Sequence, residues 1–375
     1  MEVITHKCPN CGGPLTFNPD DQKFHCDFCL SEFTEAEVSA FEAQQKAARL
    51  VADEPSPTVE GSETTAAAKD TTVPQAATDA TSASNLELFT CPSCGAEIVT
   101  DATTAATYCY FCHNPVVLTG RLAGTFQPEK VLPFAISKEK AEAEFLNWTK
   151  KKKFIPKDFF DEKQIQLLTG VYFPYWVVDA ELDGQFRANA TSLRVWRVGD
   201  LEYTETKQYA IYRQGKLSFK NLVKNALTKN VQKNMVTSVQ PFPLDKAVSF
   251  HSQYLAGFQA EKRDIEFNVL QESVQKELQN YSQNLLQETA SQYTTVTGKQ
   301  SNIKTQQQEN HYVLLPVWLV TYQNRGDKKV YYYAMNGQTG KTAGVLPISL
   351  QRLGLACGGI FAALFALFLL GGYLL

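Results

Sequence analysis

The chain has 375 residues, with 36 lysines and arginines against 39 aspartates and glutamates, for a net charge of −3. That length predicts two or three folded units. A slightly acidic balance argues against a protein that grips nucleic acid through its phosphates, because such a protein needs a basic surface.

Eight of the nine cysteines fall into two copies of one pattern: Cys8-Pro-Asn-Cys11 with Cys26-Asp-Phe-Cys29, and Cys91-Pro-Ser-Cys94 with Cys109-Tyr-Phe-Cys112. In both copies fourteen residues separate the inner cysteines. Four thiolates on two short loops can close a tetrahedron around one Zn²⁺ with no position left for a substrate, so these sites build structure and do no chemistry. Cys-Pro-x-Cys-Gly joins a ring that fixes φ to a residue that tolerates φ > 0, as a tight metal-binding turn requires. Disulfides of a secreted domain and redox dithiols compete with this reading. Met1-Glu2-Val3-Ile4 starts no signal peptide, and a redox motif needs no second pair at matched distance. His6, His25 and His113 lie beside ligands, but four cysteines complete each site without them. The expectation is two ions, one per ribbon, on Cys8, Cys11, Cys26, Cys29 and on Cys91, Cys94, Cys109, Cys112.

The first ribbon spans 1–33. Pro14 to Phe17 alternates, Asn18-Pro-Asp-Asp21 is a turn signal, and Lys23 to His25 returns. Thr34-Glu35-Ala36-Glu37 has capping-box spacing and opens a helix over 34–52. Residues 53–88 hold seven acids, one lysine and almost no large apolar side chain before Leu86. Such a stretch cannot bury enough surface to offset its ordering entropy, so it is predicted to be a disordered linker that lets the first ribbon move independently of the second. The second ribbon, 89–118, repeats the first, with Glu97 to Thr100 returning through Thr107-Tyr108. In each ribbon the metal stands in for a core that the unit is too short to have.

Residues 125–347 form the segment large enough for an ordinary core. Ser137 is the predicted cap of a helix through about Lys153, with Ala141, Phe145 and Trp148 on one face. The run Lys150 to Lys153 beside Trp148 reads as a solvated helix end, with anionic lipid as the alternative. Gly170 to Asp179, Leu193 to Val198 and Tyr203 to Tyr212 read as strands separated by turns. Ile265, Val269, Leu270, Val274, Leu278, Tyr281, Leu285 and Leu286 make the stripe of a long helix, and Tyr312 to Tyr322 and Val330 to Ala334 are further strands. Phe173-Pro-Tyr-Trp176 and Leu315-Pro-Val-Trp318 share a Pro-x-Trp core. They predict a duplicated hairpin module with Trp176 and Trp318 in equivalent core positions, with aromatics lining a ligand groove as the alternative.

Gly337-Gln-Thr-Gly340-Lys341-Thr342 imitates the end of a phosphate-binding loop, but Met335 stands where its first glycine belongs and Gly344 and Pro347 interrupt the helix it needs. Asn336-Gly337 fits a hairpin turn instead. No catalytic constellation is found, so the sequence predicts no enzyme.

Leu353 to Leu375 carries no charged residue and, at ~1.5 Å per residue, reaches ~34 Å, enough for one bilayer crossing. A buried helix of a soluble core is the competing reading. Nothing follows the segment, and Lys341 and Arg352 precede it. The positive-inside rule then predicts a tail-anchored, single-pass cell-membrane protein with its N-terminus in the cytoplasm. Cys357 inside it reads as a small packing residue, with palmitoylation as the alternative. Gly354, Gly358, Ala362 and Ala366 form a small-residue stripe suited to homo-oligomer contacts.

Taken together, Cys-Pro-x-Cys-Gly with its partner CxxC, Pro133-Phe134 before a Lys/Glu helix, Gly170-Val-Tyr-x-Pro-Tyr-Trp176, Pro316-Val-Trp318 and Ala334-Met-Asn-Gly-Gln-Thr-Gly-Lys341 resemble a family of Gram-positive single-pass membrane proteins described as TFIIB-type zinc-ribbon-containing. Some of its relatives carry primosomal or helicase-like labels, and this sequence has no helicase motor. The resemblance implies a role in recruiting SPFH-domain or phage-shock-type partners to the membrane in envelope stress, and carried over residue by residue it marks only the eight cysteines as functional positions. The expected architecture is α+β: two small zinc-ribbon β units, an antiparallel-sheet-plus-helix domain, and a transmembrane helix over 353–375. The expected function is a membrane-anchored cytoplasmic adaptor that binds other proteins. The alternative is a membrane-tethered regulator that binds nucleic acid or RNA polymerase.

Overall fold

The computed structural model describes residues 3–52, 86–109, 111–152, 154, 168–228, 237–323, 330–346 and 348–374. Most of the expected linker, 53–85, lies outside them.

In the first ribbon, β1 (Thr16–Asn18), β2 (Lys23–His25) and β3 (Glu32–Phe33) form a three-stranded sheet, followed by α1 (Glu35–Ala52). The capping box forms as expected: the Thr34 amide donates to Glu37 Oε2 at 2.7 Å, and the Glu37 amide donates to Thr34 Oγ1 at 3.4 Å. The second ribbon holds β4 (Leu86–Thr90), β5 (Glu97–Asp101), β6 (Thr104–Tyr108) and β7 (Pro115–Val117). Two expectations change here. Leu86 to Leu88, placed in the linker by composition, are strand, and β5 pairs with β4 instead of returning through Thr107-Tyr108. β6 turns away to pair with β7 and the main sheet, because Ala105 and Ala106 are buried on both its faces and need cover on each.

The main body adds β8 (Lys130–Val131), α2 (Lys138–Lys150), β9 (Thr169–Val198), β10 (Leu201–Asn225), β11 (Val248–Ser249), β12 (Gln259–Glu261), α3 (Phe267–Glu288), β13 (Thr295–Gln323), β14 (Val330–Asn336) and β15 (Thr342–Val345), and then α4 (Leu350–Leu374). The ten-stranded sheet has the central order β11-β8-β13-β9-β12-β6-β7, with β10 on β9 and the β14–β15 pair on β13. It is mixed, which corrects the expectation of an antiparallel sheet: β8 runs parallel to β13, and β12 parallel to β9.

Those two parallel pairs reveal a duplication larger than a hairpin. One constant offset in numbering relates Val171, Pro174 and Trp176 to Val313, Pro316 and Trp318. A second relates Lys130, Ile136 and Lys138 to Gln259, Ile265 and Phe267. Each repeat is a short strand, a helix and a long strand, and each short strand pairs with the long strand of the other repeat. The two long strands cross antiparallel about Phe173↔Leu315, with Pro174 facing Leu314 and Tyr172 facing Pro316. Trp176 Nε1 donates to the Ile265 carbonyl at 2.9 Å, and Trp318 Nε1 donates to the Ile136 carbonyl at 3.0 Å, so each indole closes the turn that leads into the other repeat's helix. Both tryptophans are buried in one core with Phe134, Tyr172 and Phe258. This is a structural role.

β9, β10 and β13 run for 30, 25 and 29 residues. At ~3.3 Å per residue β9 is ~100 Å long in all, and its residues after Asp179, with the paired parts of β10 and β13, make an arm of ~60 Å beyond the duplicated core. The expected separate strands 170–179 and 193–198 are therefore one. Gly184, inside β9, is not a turn: a Cβ there would lie 2.8 Å from a Leu286 methyl, so the glycine lets α3 press onto the sheet. α3 buries a narrower stripe than its periodicity predicts, Val274, Leu278, Ser282 and Leu286, while Val269, Tyr281 and Leu285 face outward. A helix lying on only three strands has one covered side. At α2, Ser137 occupies the cap position without a side-chain capping bond, and the helix ends at Lys150.

The first ribbon is not free of the rest, contrary to the expectation drawn from the linker. Leu15, Phe17 and Phe24 belong to the same buried core as Trp176 and Trp318. The Phe17 amide donates to the Ala256 carbonyl at 3.0 Å, and Phe17 rings against Tyr254 and Phe258. Ile4 and Val117 exchange backbone hydrogen bonds of 3.0 Å, joining the two ribbons directly. A linker attached at its ends to docked units sets no freedom between them. α4 carries no charged residue after Arg352, its window Leu350–Leu369 has no residue buried against the chain, and it is long and apolar enough to cross a membrane.

Candidate metal centres

The sequence-predicted ligands come together as two groups of four: Cys8, Cys11, Cys26 and Cys29, and Cys91, Cys94, Cys109 and Cys112, with all sulfurs of a group within 4.8 Å of one another. Sulfur pairs lie at 3.5 Å (Cys8–Cys29) and 3.4 Å (Cys11–Cys26) in the first, and at 3.8 Å (Cys91–Cys112) and 3.7 Å (Cys94–Cys109) in the second. A tetrahedron with Zn–S bonds of about 2.3 Å has edges of ~3.8 Å. The spacing therefore fits a single ion, and no pair is close enough for a disulfide. Each group can hold one metal ion.

Each centre is built from two knuckles of the same backbone form. The amides of Gly12, Leu30, Gly95 and His113 donate to the carbonyls of Cys8, Cys26, Cys91 and Cys109, all at 2.9 Å. All four donors have positive φ: 75°, 59°, 76° and 57°. Glycine takes this conformation without strain, whereas a side chain costs roughly 1–2 kcal/mol. The space around Gly12 and Gly95 is open, so only the backbone resists substitution. Gly12→Ala and Gly95→Ala are each expected to lower stability by ~1 kcal/mol, while Leu30→Gly leaves it level or raises it; chemical denaturation of the metal-loaded chain checks this.

The sulfurs of each group divide into one whose ionisation is favoured and one whose ionisation is opposed. Hydrogen bonds from the Ser31 hydroxyl and then its amide hold the Cys29 thiol down at about 6. The Gly13 amide pulls Cys11 down, but the sulfurs of Cys26 and Cys29 outweigh it and push the thiol up to about 12. The second centre repeats the division. Burial raises Cys109, but the Cys112 and Phe111 amides bring it down to about 7, whereas burial and the neighbouring Cys94 and Cys109 sulfurs drive Cys112 up to about 12. Four thiolates this close cannot ionise together unless a divalent ion neutralises them, so metal uptake releases protons and weakens as pH falls.

The histidines are accounted for elsewhere. His6 is buried with Nδ1 2.6 Å from Glu42 Oε1, His25 pairs with Asp21 at 2.6 Å, and His113 is exposed. Gly337 to Gly340 is the turn between β14 and β15, with the Gly340 amide on the Asn336 carbonyl at 3.0 Å, as a hairpin and not a phosphate loop.

Over 253 residues, 66% of this chain and 73% of the other, the sequence is 34% identical to YdjG of Bacillus subtilis (strain 168), described as uncharacterized. The chain belongs to the YdjG family. No family model matches it, and no solved structure matches it.

Two features of this YdjG-family chain went unread in its sequence. Phe28 and Phe111 hold the same place in the second knuckle of each centre, directly before its last cysteine, and both are exposed, at 73% and 70%. The repeated Cys-x-Phe-Cys was the available signal. Arg121 is buried, with Nη2 2.8 Å from Glu87, Nη1 2.5 Å from the carbonyls of Asp101 and Thr104, and its guanidinium 4.6 Å over the Phe89 ring. It pins the β4–β5 pair to the main sheet and holds the Glu87 carboxyl below its ordinary range. Its partners lie far apart in sequence and have no common motif.

Proposed function

We propose that the chain is a non-catalytic, zinc-bearing adaptor, anchored in the cell membrane by α4, whose knuckles dock partner proteins on the cytoplasmic side. The observation that carries this reading is the pair of closed four-cysteine centres, each presenting a phenylalanine outward at the same position, with Leu30 beside Phe28 also 85% exposed. A sulfur tetrahedron with no open position supplies rigidity and no reaction. Large aromatic side chains fixed on a rigid turn are the residue type that anchors protein interfaces. Zinc is the ion that the donor set suits, because soft thiolates in a tetrahedron select it. Lys341 before α4 and Arg352 in its first turn favour the cytoplasm for the folded part.

Phe28→Ser with Phe111→Ser separates docking from folding. The double variant is expected to keep two zinc ions per chain and to lose most of the proteins labelled by a proximity enzyme fused near the first ribbon. An unchanged labelled set would remove the knuckles as the recruiting surface. The regulator reading makes a different prediction: binding to DNA or RNA that weakens steeply with added salt.

A further inference from the structure

The outer edge of β10 runs the length of the arm with nothing paired to it among the described residues. β9 and β10 are joined by Gly199-Asp200, and Val198 faces Leu201. A two-residue turn makes that closing pair a hydrogen-bonded one, and hydrogen bonding then alternates along the ladder. The odd-numbered residues of β10 therefore turn their backbone groups toward β9. The even-numbered residues from Glu202 to Ser218 turn theirs outward, and all of these are exposed. An edge this long is a template for another strand unless something blocks it.

We infer that this edge pairs antiparallel with the same edge of a second copy, about a two-fold axis through Tyr209. Outward groups must meet outward groups, so the axis passes through a residue and pairs even with even. Of the registers allowed, the one about Tyr209 sets Glu202 opposite Lys216 of the second copy and Glu205 opposite its Arg213, and the two-fold axis repeats both. These are both acids of β10, and neither Lys216 nor Arg213 makes an ion pair among the described residues. No like charges face each other. Moving the axis to Ala210 sets Lys207 against Arg213, and moving it to Lys207 or Arg213 sets that cation against itself. An axis through Ile211 keeps only Glu202 with Lys220. The pairing also completes rows that each chain begins. Arg197 faces Glu202 and Asp183 faces Lys216 within the chain, so the row Arg197, Glu202, Lys216, Asp183 alternates in sign across four strands.

The arm then becomes a six-stranded sheet with both α3 helices on one face. Because the operator is a two-fold axis, two α4 anchors can enter the same bilayer only when the arm lies along its surface.

The test uses the full chain in membranes, with Cys357→Ser and single cysteines at 205, 207, 209, 211 or 213. Tyr209 would meet its own copy as a non-hydrogen-bonded pair, with Cα atoms ~4.5 Å apart, within disulfide reach. Mild oxidation is expected to trap Tyr209→Cys as a dimer about tenfold more than the other four. Arg213→Glu is expected to lower the dimer population about tenfold in detergent, and adding Glu205→Arg to restore it to within about twofold. A maximum at another position, no trapped dimer at any of the five, or a charge swap that fails to restore would each overturn the inference.

Discussion

Stripping the metal from the first centre, by Cys8→Ser with Cys11→Ser, is expected to destabilise the α+β body and not the ribbon alone. Cys8 and Cys26 lie in the same buried core as Leu15, Phe17, Phe24, Trp176 and Trp318. If the knuckles lose their ion, β1 and β2 lose the constraint that holds Phe17 and Phe24 against Tyr254. Structural zinc contributes ~10 kcal/mol or more to the folding of isolated zinc peptides. Even a fraction of that, passed to the shared core, lowers the melting temperature of a domain this size by about 10 °C. The second centre supplies the contrast. Its Cys91 and Cys109 pack into a separate small cluster with Phe89, Ile98, Val116 and Leu118. Cys91→Ser with Cys94→Ser should therefore loosen β4 and β5 with a smaller effect on the main transition. Thermal unfolding followed by tryptophan fluorescence distinguishes the two, since Trp176 and Trp318 sit in the main core. Equal shifts for the two double variants, or none for the first, would show that the ribbon is not integral to that core.

The second large effect concerns the two indoles. Trp176→Ala and Trp318→Ala should each cost about 3–5 kcal/mol, the range for removing a large buried aromatic. The duplication predicts that the two losses match within ~1 kcal/mol, because each indole fills an equivalent place and bonds an equivalent carbonyl. The milder Trp→Phe changes isolate the hydrogen bond: each leaves the Ile265 or Ile136 carbonyl without its donor, at about 1–3 kcal/mol. Urea unfolding of the four single variants measures all of this. A Trp176 variant near wild-type stability beside a crippled Trp318 variant would mean that only one repeat carries the core.

The metal groups were legible because a thiolate cage is written locally, as two short loops at matched spacing, and the structure brings the eight predicted sulfurs together in two groups. The capping box at Thr34 and Glu37 is equally local. What failed to be legible depended on partners distant in the chain. Ala105 and Ala106 look unremarkable until both faces of β6 are seen to be covered. Gly184 reads as a turn until Leu286 is found against it. The outward positions of Val269, Tyr281 and Leu285 follow from the width of the arm, which periodicity does not report.

Composition and spacing alone determined that this chain carries two four-sulfur groups and one helix apolar enough to cross a membrane, because both are set by residues close in sequence and by solvation of the side chains themselves. Only the tertiary structure decided that the first ribbon is part of the main core, that Trp176 and Trp318 belong to two interlocked repeats, and that three strands extend into an arm with an edge unpaired among the described residues. These depend on which surfaces meet, and burial between distant segments leaves no local mark on either one.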